Sequence, residues 1–271
     1  TISNMSWYEK SVLNANPEAE ATLETEESIK SQALTDRTFL LPHLDTTKYR
    51  KIMVLTPHPD DLEGFIGGLV YRLSGEIVSV IFAGGDKGVW SKDDEVIDTD
   101  DYVHIRLAES AQAAKLLGVR QIIYMGYLDH DVPVNETAIK KTLTQLQLHQ
   151  PDLIISFEFY KRATTYPHPD HIATANVVRQ AVARYDHTYK MDYIVISTLL
   201  PNRFIDITGV RRIKLEALAC HSTQSELNTL IFPFFEKLLC MLWGAFSGVD
   251  YAEGYRQINI QKMRKKLRRT Q

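Results

Sequence analysis

From Lys51 onward the chain alternates short runs of β-forming apolar residues with longer stretches of helical periodicity, and this limits its architecture more than any other feature. The apolar runs are KIMVLT (51–56), EIVSVIFA (76–83), RQIIYMGY (120–127), DLIISFE (152–158) and DYIVIST (192–198). Between them lie helical segments at 62–73, 103–118, 138–150 and 171–185, the second stopped by Gly118. Runs that are apolar throughout, rather than at every second residue, suit strands covered on both faces. Strands separated by helices pair in parallel, and right-handed crossovers then place helices on both sides of the sheet. The expected fold is α/β: a three-layer, Rossmann-like domain with a mostly parallel sheet.

A chain of 271 residues suits one large domain better than two small ones. Residues 1–46 are polar and acidic, with one stretch (17–34) that suits a surface helix, and read as an extension packed on a single catalytic domain over 47–271. After residue 198 the pattern weakens. RFIDITG (203–209) fits an edge strand and VRRIKLEALACH (210–221) a helix. The apolar segment 230–246, with Pro233 near its start, is too short to span a bilayer comfortably. It suits a core or dimer helix, a substrate lip or a membrane-touching surface. The basic tail KMRKKLRR (262–269) reads as a solvated, frayed helix end.

A formal net charge of -3 gives no electrostatic footprint for nucleic acid. Cys220 and Cys240 both sit in apolar helical surroundings and read as buried thiols. Two cysteines cannot build a thiolate cluster, so any metal site must use histidines and carboxylates. No transmembrane segment or signal-peptide profile is visible, which makes cytoplasmic placement the default and leaves room for a homo-oligomer.

The tripeptide HPD occurs twice, as His58-Pro59-Asp60-Asp61 and as His168-Pro169-Asp170-His171. Composition alone would give such a tripeptide about 0.02 times, so two copies call for a cause. An Asp and a Pro at a helix start are also ordinary capping chemistry, which would account for either copy alone. The first copy follows the 51–56 strand and the second follows the 152–158 strand after a loop. Both loops leave the carboxyl edge of a doubly wound sheet, where ligands bind. Two distant segments can thus supply imidazoles and carboxylates to one open metal site. Within the first motif, one carboxylate can bind an ion while its neighbour handles the water. Within the second, one histidine can ligate and leave the other as a proton donor or oxyanion partner.

TPHPDD (56–61) followed by EGFIGG (63–68) resembles the signature of the PIG-L/LmbE-like family of zinc-dependent N-deacetylases, and PHPDH (167–171) resembles its second metal motif. AGGDKG (83–88), RLAESAQAAKLLG (106–118), YMGYLDHDV (124–132), KLEALACHSTQ (214–224) and YAEGY (251–255) resemble further family blocks in the same order. The resemblance implies Zn2+, with another divalent ion such as Fe2+ compatible, held by His58, Asp61 and His171. It implies Asp60 as general base and His168, oriented by Asp170, as acid or oxyanion stabiliser. Tyr166 falls where some members carry a mobile tyrosine, and Arg106 and Asp129 fall at substrate-binding positions. The expected activity is removal of an N-acetyl group from a small-molecule amino sugar, such as N-acetylglucosamine, or its conjugate. A larger acyl or thiol-conjugate amide, or sugar binding without catalysis, are the alternatives.

On residues alone, Arg106 and Glu109, one helical turn apart, would make a surface ion pair. Asp129, just beyond the 120–127 strand at the carboxyl edge, would either sit in a solvated loop or bind hydroxyls. His221 and Gln224 follow a helix whose end reaches toward the crevice, whereas His43, His104, His149 and His187 read as surface residues. Against the family pattern, Thr56 replaces a smaller residue and tightens the strand exit without touching the ligands, and the bulkier KRATTY (161–166) replaces glycine-rich text and alters the pocket wall.

Overall fold

The five apolar runs form strands in the computed structural model, which describes residues 42–88, 98–185, 189–224 and 232–269. Among the described residues these are β1 (Lys51–Thr56), β2 (Glu76–Ala83), β3 (Gln121–Tyr127), β4 (Leu153–Phe157) and β5 (Asp192–Ile196). Two more strands follow, β6 (Arg203–Asp206) and β7 (Ala252–Ile258). The sheet order is β3-β2-β1-β4-β5-β7-β6. All pairings from β3 to β5 are parallel, while β7 runs antiparallel to both β5 and β6. β1 and β4 are buried along almost their whole length, as their unbroken apolar sequences require. β3 lies at an edge and is only partly covered.

The helices are α1 (Asp61–Arg72), α2 (Thr99–Leu117), α3 (Glu136–His149), α4 (Pro169–Arg184), α5 (Arg211–Leu218), α6 (Phe232–Ser247) and α7 (Ile260–Arg268). α1, α2 and α5 pack together, and α3, α4 and α7 form a second group. The result is the expected three-layer α/β fold. Order reverses between β1, which is followed by β2 and β3 outward, and β4, which is followed by β5. That switch point opens the crevice into which both HPD loops lead.

The sequence did not announce β7. Its segment AEGYRQI mixes charge, glycine and aromatics, yet it separates β5 from β6 and leaves β6 at the edge. It also buries Glu253 and Tyr255. The basic tail is likewise more than a frayed end. Asn259 caps α7 by accepting from Lys262 N at 2.9 Å, Met263 is buried, and Arg264 donates to the Tyr185 carbonyl at 2.5 Å. Of the two cysteines, Cys240 is buried, whereas Cys220 lies just past the end of α5 and is only half-buried.

Most of the N-terminal extension lies outside the described residues. Its last part runs beside β6, where Leu44 N donates to the Phe204 carbonyl at 2.7 Å. No helix among the described residues is long and apolar enough to cross a membrane.

α1 carries a kink at Ile66, whose backbone leaves helical values. The N–H groups of Gly68 and Leu69 turn instead to the buried carboxylate of Glu253, at 3.1 and 2.8 Å. A Cβ on Gly68 would stand 2.4 Å from Ile207, so glycine permits this approach. Glu253 also accepts from Tyr255 Oη and pairs with Lys214 at 2.7 Å. Lys214 reaches Glu236 at 3.2 Å, and Arg211 closes the chain on Glu236 at 2.6 Å. Burial alone would lower the Lys214 pKa, but the two carboxylates push it upward, so the ammonium stays charged. This network ties α1, α5, α6 and β7 together.

Candidate metal centre and active site

Strand β1 ends at Thr56, and the next five residues bring His58, Asp60 and Asp61 to the crevice. Asp61 Oδ2 accepts from His58 N at 2.7 Å, which folds the turn back on itself. The same oxygen lies 3.4 Å from His58 Nδ1, while Asp61 Oδ1 lies 3.2 Å from His171 Nε2. A single carboxylate therefore links the two HPD motifs across 110 residues. His171 comes from the first turn of α4 and is 1% exposed.

His168 is the N-cap of α4, with Pro169 behind it, and its Nδ1 accepts from Asp170 N at 3.2 Å. Capping is thus part of what the second motif does. An Nδ1 that accepts must be unprotonated, so the proton of neutral His168 is on Nε2. The Asp170 side chain turns elsewhere: Oδ2 accepts from His130 N at 2.7 Å and faces His58 Nε2 at 3.2 Å. Asp170 thus positions His168 through its backbone, and its carboxylate serves His58.

Asp129, from the turn after β3, also faces His58 Nε2, at 3.0 Å. Its carboxylate is committed to this imidazole and to His130 N, also at 3.0 Å, and is not in a solvated loop. His130 has φ 63°, a left-handed conformation that turns its N–H toward Asp129 and Asp170. Three carboxylates, Asp61, Asp129 and Asp170, consequently surround His58. Burial would lower its pKa, yet these carboxylates hold it well above the ordinary range. The carboxyl of Asp61, which burial would raise, is lowered by His171 and His58.

This arrangement meets the demands of a divalent cation. The ligating atoms of His58, His168 and His171 lie within 4.8 Å of one another, as do those of His58, Asp129 and Asp170. His171 Nδ1 is buried without a hydrogen-bond partner. Imidazole nitrogens and a carboxylate oxygen, with carboxylates behind them, are a donor set suited to zinc or ferrous iron.

Asp60 occupies the N-cap position of α1, but its side chain makes no capping bond. It meets Arg106 instead, with Nη2 3.3 Å from Oδ1. Arg106 is 3% exposed and its Nη1 donates to the Gly85 carbonyl at 2.9 Å. Gly85 has φ +72°, and a Cβ there would stand 1.9 Å from Arg106 Nη1. Gly85 and Gly88 of AGGDKG make room for a guanidinium.

The expected surface pair of Arg106 and Glu109 does not form. Both are buried and their side chains part: Glu109 accepts from Ser222 Oγ, Thr223 N and Thr223 Oγ1 at 2.5–2.8 Å, anchoring the turn after α5. Beyond that turn Gln224 donates to the Gly88 carbonyl, and His221 is fully buried 3.3 Å from Glu63. His43 and His104 are exposed as expected, whereas His149 is half-buried and His187 lies outside the described residues.

The residues around the two HPD motifs line one cavity of about 720 Å³ with a polar and an apolar part. One holds His58, Asp60, Asp61, Arg106, Asp129, His168 and His171. The other is walled by Phe65, Leu218, Phe232, Phe235, Leu239 and Trp243. The apolar segment 230–246 thus lines the cavity with part of α6, while Phe234, Leu238, Met241, Leu242 and Phe246 of the same helix are exposed. Tyr166 stands at the rim, 49% exposed, with its ring 6.0 Å from and nearly parallel to that of His168. Burial and the nearby carboxylates raise its pKa, which keeps the hydroxyl protonated.

The PIG-L family, described as GlcNAc-PI de-N-acetylase, matches residues 53–182, a span that contains both HPD motifs. Residues 53–182 belong to the PIG-L family. Curated relatives agree with this placement. A diacetylchitobiose deacetylase of Thermococcus kodakarensis is 24% identical over 76% of this chain and 82% of its own. A probable N-acetyl-alpha-D-glucosaminyl L-malate deacetylase 2 of Bacillus cereus is 27% identical over 65% of this chain and 84% of its own. Among solved structures, the N,N'-diacetylchitobiose deacetylase of Pyrococcus horikoshii superposes with a TM-score of 0.73 at 25% identity, covering 79% of this chain and 85% of that one. The chain therefore carries a region that matches the PIG-L family and shares the α/β fold of these deacetylases.

Proposed function

We propose that this protein is a metal-dependent hydrolase that removes an N-acetyl group from an amino sugar or glycoconjugate, and that residues 47–271 form its catalytic domain. The observation that carries this reading is the convergence of both HPD motifs on one part of a cavity, with Asp60 beside the candidate ligands and spared from capping. The names of the similar proteins supply the amide and the amino sugar.

In this reading His58, Asp61 and His171 hold Zn2+ or a similar divalent ion, with Asp129 and Asp170 orienting His58. Such an ion, when bound, lowers the pKa of a water toward ~7 and polarises an amide carbonyl. Asp60 accepts the proton of the attacking water at its carboxylate, whose direction is fixed by Arg106. As the water oxygen bonds to the carbonyl carbon, the Nε2–H of His168 donates to the developing oxyanion. The proton taken up by Asp60 then passes to the nitrogen as the C–N bond breaks, while His168 keeps its Nε2–H and steadies the oxyanion, giving acetic acid and the free amine. Tyr166 offers a further donor at the rim. Arg106 and Asp129 border the acetamido sugar, although both side chains are first engaged with Asp60 and His58.

The apolar wall that adjoins the candidate metal ligands favours a substrate with an apolar portion over a bare hexosamine. Amine release from a panel of N-acetylated glycans and glycoconjugates, measured before and after chelation, tests the reading. Release that stops on chelation and returns with Zn2+ supports it. Release unaffected by full removal of metal, or none across the panel from metal-loaded protein, counts against it.

A further inference from the structure

A second cleft, of about 200 Å³, lies between α4, the segment after β4, the end of β7 and the start of α7. Four cationic side chains line it: Arg179, Arg256, Lys262 and Lys266. The carboxylate next to them is Glu158, 0% exposed, and Arg256 takes up both of its oxygens, at 2.7 and 2.5 Å. Arg179 and Lys262 have no carboxylate within 4.0 Å among the described residues, and the buried Nε of Arg179 has no hydrogen-bond partner. The guanidinium of Arg179 is held in place by the Phe159 ring, 5.1 Å from its centroid, and that of Arg256 lies 5.2 Å from the same ring. Two cations are thus fixed against one ring, and the single neighbouring carboxylate, Glu158, is taken up by one of them. Behind the cleft Tyr193 is fully buried with its hydroxyl unpartnered. At the mouth, Gln257 and Asn259 lead into the first turn of α7, a nine-residue helix whose N-terminus adds partial positive charge.

Fixed like charges with an unsatisfied buried donor are costly unless an anion answers them. From this geometry we propose that the Arg179/Arg256/Lys262 cleft is an anion site for a soluble phosphate-bearing small molecule, separate from the catalytic cavity. A phosphate group presents several acceptor oxygens at once, matching the guanidinium of Arg179, the ammonium of Lys262 and the α7 N-terminus. The volume admits such a group with little more attached. Its position has a consequence for the active site. Phe159 and Tyr160 of the cleft and Thr165, Tyr166 and His168 of the catalytic cavity belong to one connecting segment between β4 and α4. An anion bound at the root of that segment holds the part of the chain that presents Tyr166.

The test is calorimetric titration of the metal-loaded full chain with inorganic phosphate at constant ionic strength, repeated after chelation. The expected result is saturable binding that survives chelation and weakens at least about 10-fold in Arg179→Gln. Lys262→Gln, at an exposed position, is expected to weaken binding about 3- to 10-fold without disturbing the fold. Binding that vanishes on chelation would assign the phosphate to the metal centre and overturn the proposal. So would unchanged affinity in a folded Lys262→Gln protein, or absence of binding at millimolar phosphate. Binding to phosphatidic acid vesicles without binding of soluble phosphate would overturn it as well.

Discussion

Gly85→Ala puts the link between the AGGDKG turn, Arg106 and Asp60 under direct test. Alanine at φ +72° carries about 1–2 kcal/mol of left-handed strain. Its Cβ would fall 1.9 Å from Arg106 Nη1, an overlap relieved by withdrawal of the flexible guanidinium. The stability loss should therefore stay near the strain itself, a fall in Tm of about 2–8 °C. The catalytic loss should be larger. A withdrawn Arg106 gives up its 3.3 Å contact with Asp60, and a hydrogen bond to a charged group contributes about 1.5–3 kcal/mol. Expressed fully in the transition state, that is about 10- to 150-fold in kcat. Steady-state amine release from the preferred N-acetylated substrate is the assay, with Arg106→Met as the second arm of a double-mutant cycle. If Arg106 is the intermediary, Gly85→Ala should cost little further in the Arg106→Met background. Turnover of Gly85→Ala within twofold of the parent, or equal losses in both backgrounds, would refute this chain of causes.

Further expectations follow from other parts of the structure. Lys214→Met leaves Glu236 and Glu253 short of a buried counter-charge, a cost of about 3–5 kcal/mol that a thermal melt would show as a fall of about 6–20 °C. A fall below 2 °C would mean that Arg211 suffices. In the parent, burial raises the Glu236 pKa but Lys214 and Arg211 outweigh it, holding the carboxyl below its ordinary 4.5. Its contribution to stability is present above pH 4.5 and is lost as pH falls through the lower folded value. His168 is held below its ordinary 6.5 by burial and by the positive charge of His58 and His171, so the acid limb it imposes on kcat should lie below pH 6.5. An acid limb above pH 7 that disappears in His168→Gln would contradict this. Trp243→Ala should raise KM about 10-fold for conjugates with an apolar aglycone and leave the free acetamido sugar unchanged. A uniform effect on both would remove the apolar wall from substrate binding.

Strands β1 to β5 were legible because each is a short apolar run bounded by turn residues, buried on both sides in all but the edge strand β3. β7 was not, since Glu253 and Arg256 are held there by partners far away in sequence (Lys214, Glu158 and the kinked turn of α1), and Tyr255 in turn by Glu253. The two HPD motifs could be read as one site because both follow strands of a parallel sheet and so leave its carboxyl edge; that their strands are neighbours at the switch point came from the structure. Their inner wiring could not be read. That Asp170 serves His58 through its carboxylate and His168 through its backbone depends on the angle at which α4 begins. Arg106 and Glu109 are one turn apart and suggest an ion pair to any local rule. The glycine turn and the 222–223 turn draw them apart.

The central claim is that Asp60 is the base beside a metal held by other residues, and the rate of amine release by metal-loaded Asp60→Ala tests it most directly. Its metal content, measured on the same sample, should equal that of the parent, while the rate should fall by at least ~10²-fold. An Asp60→Ala protein that keeps its metal and turns over at the parental rate would contradict the account.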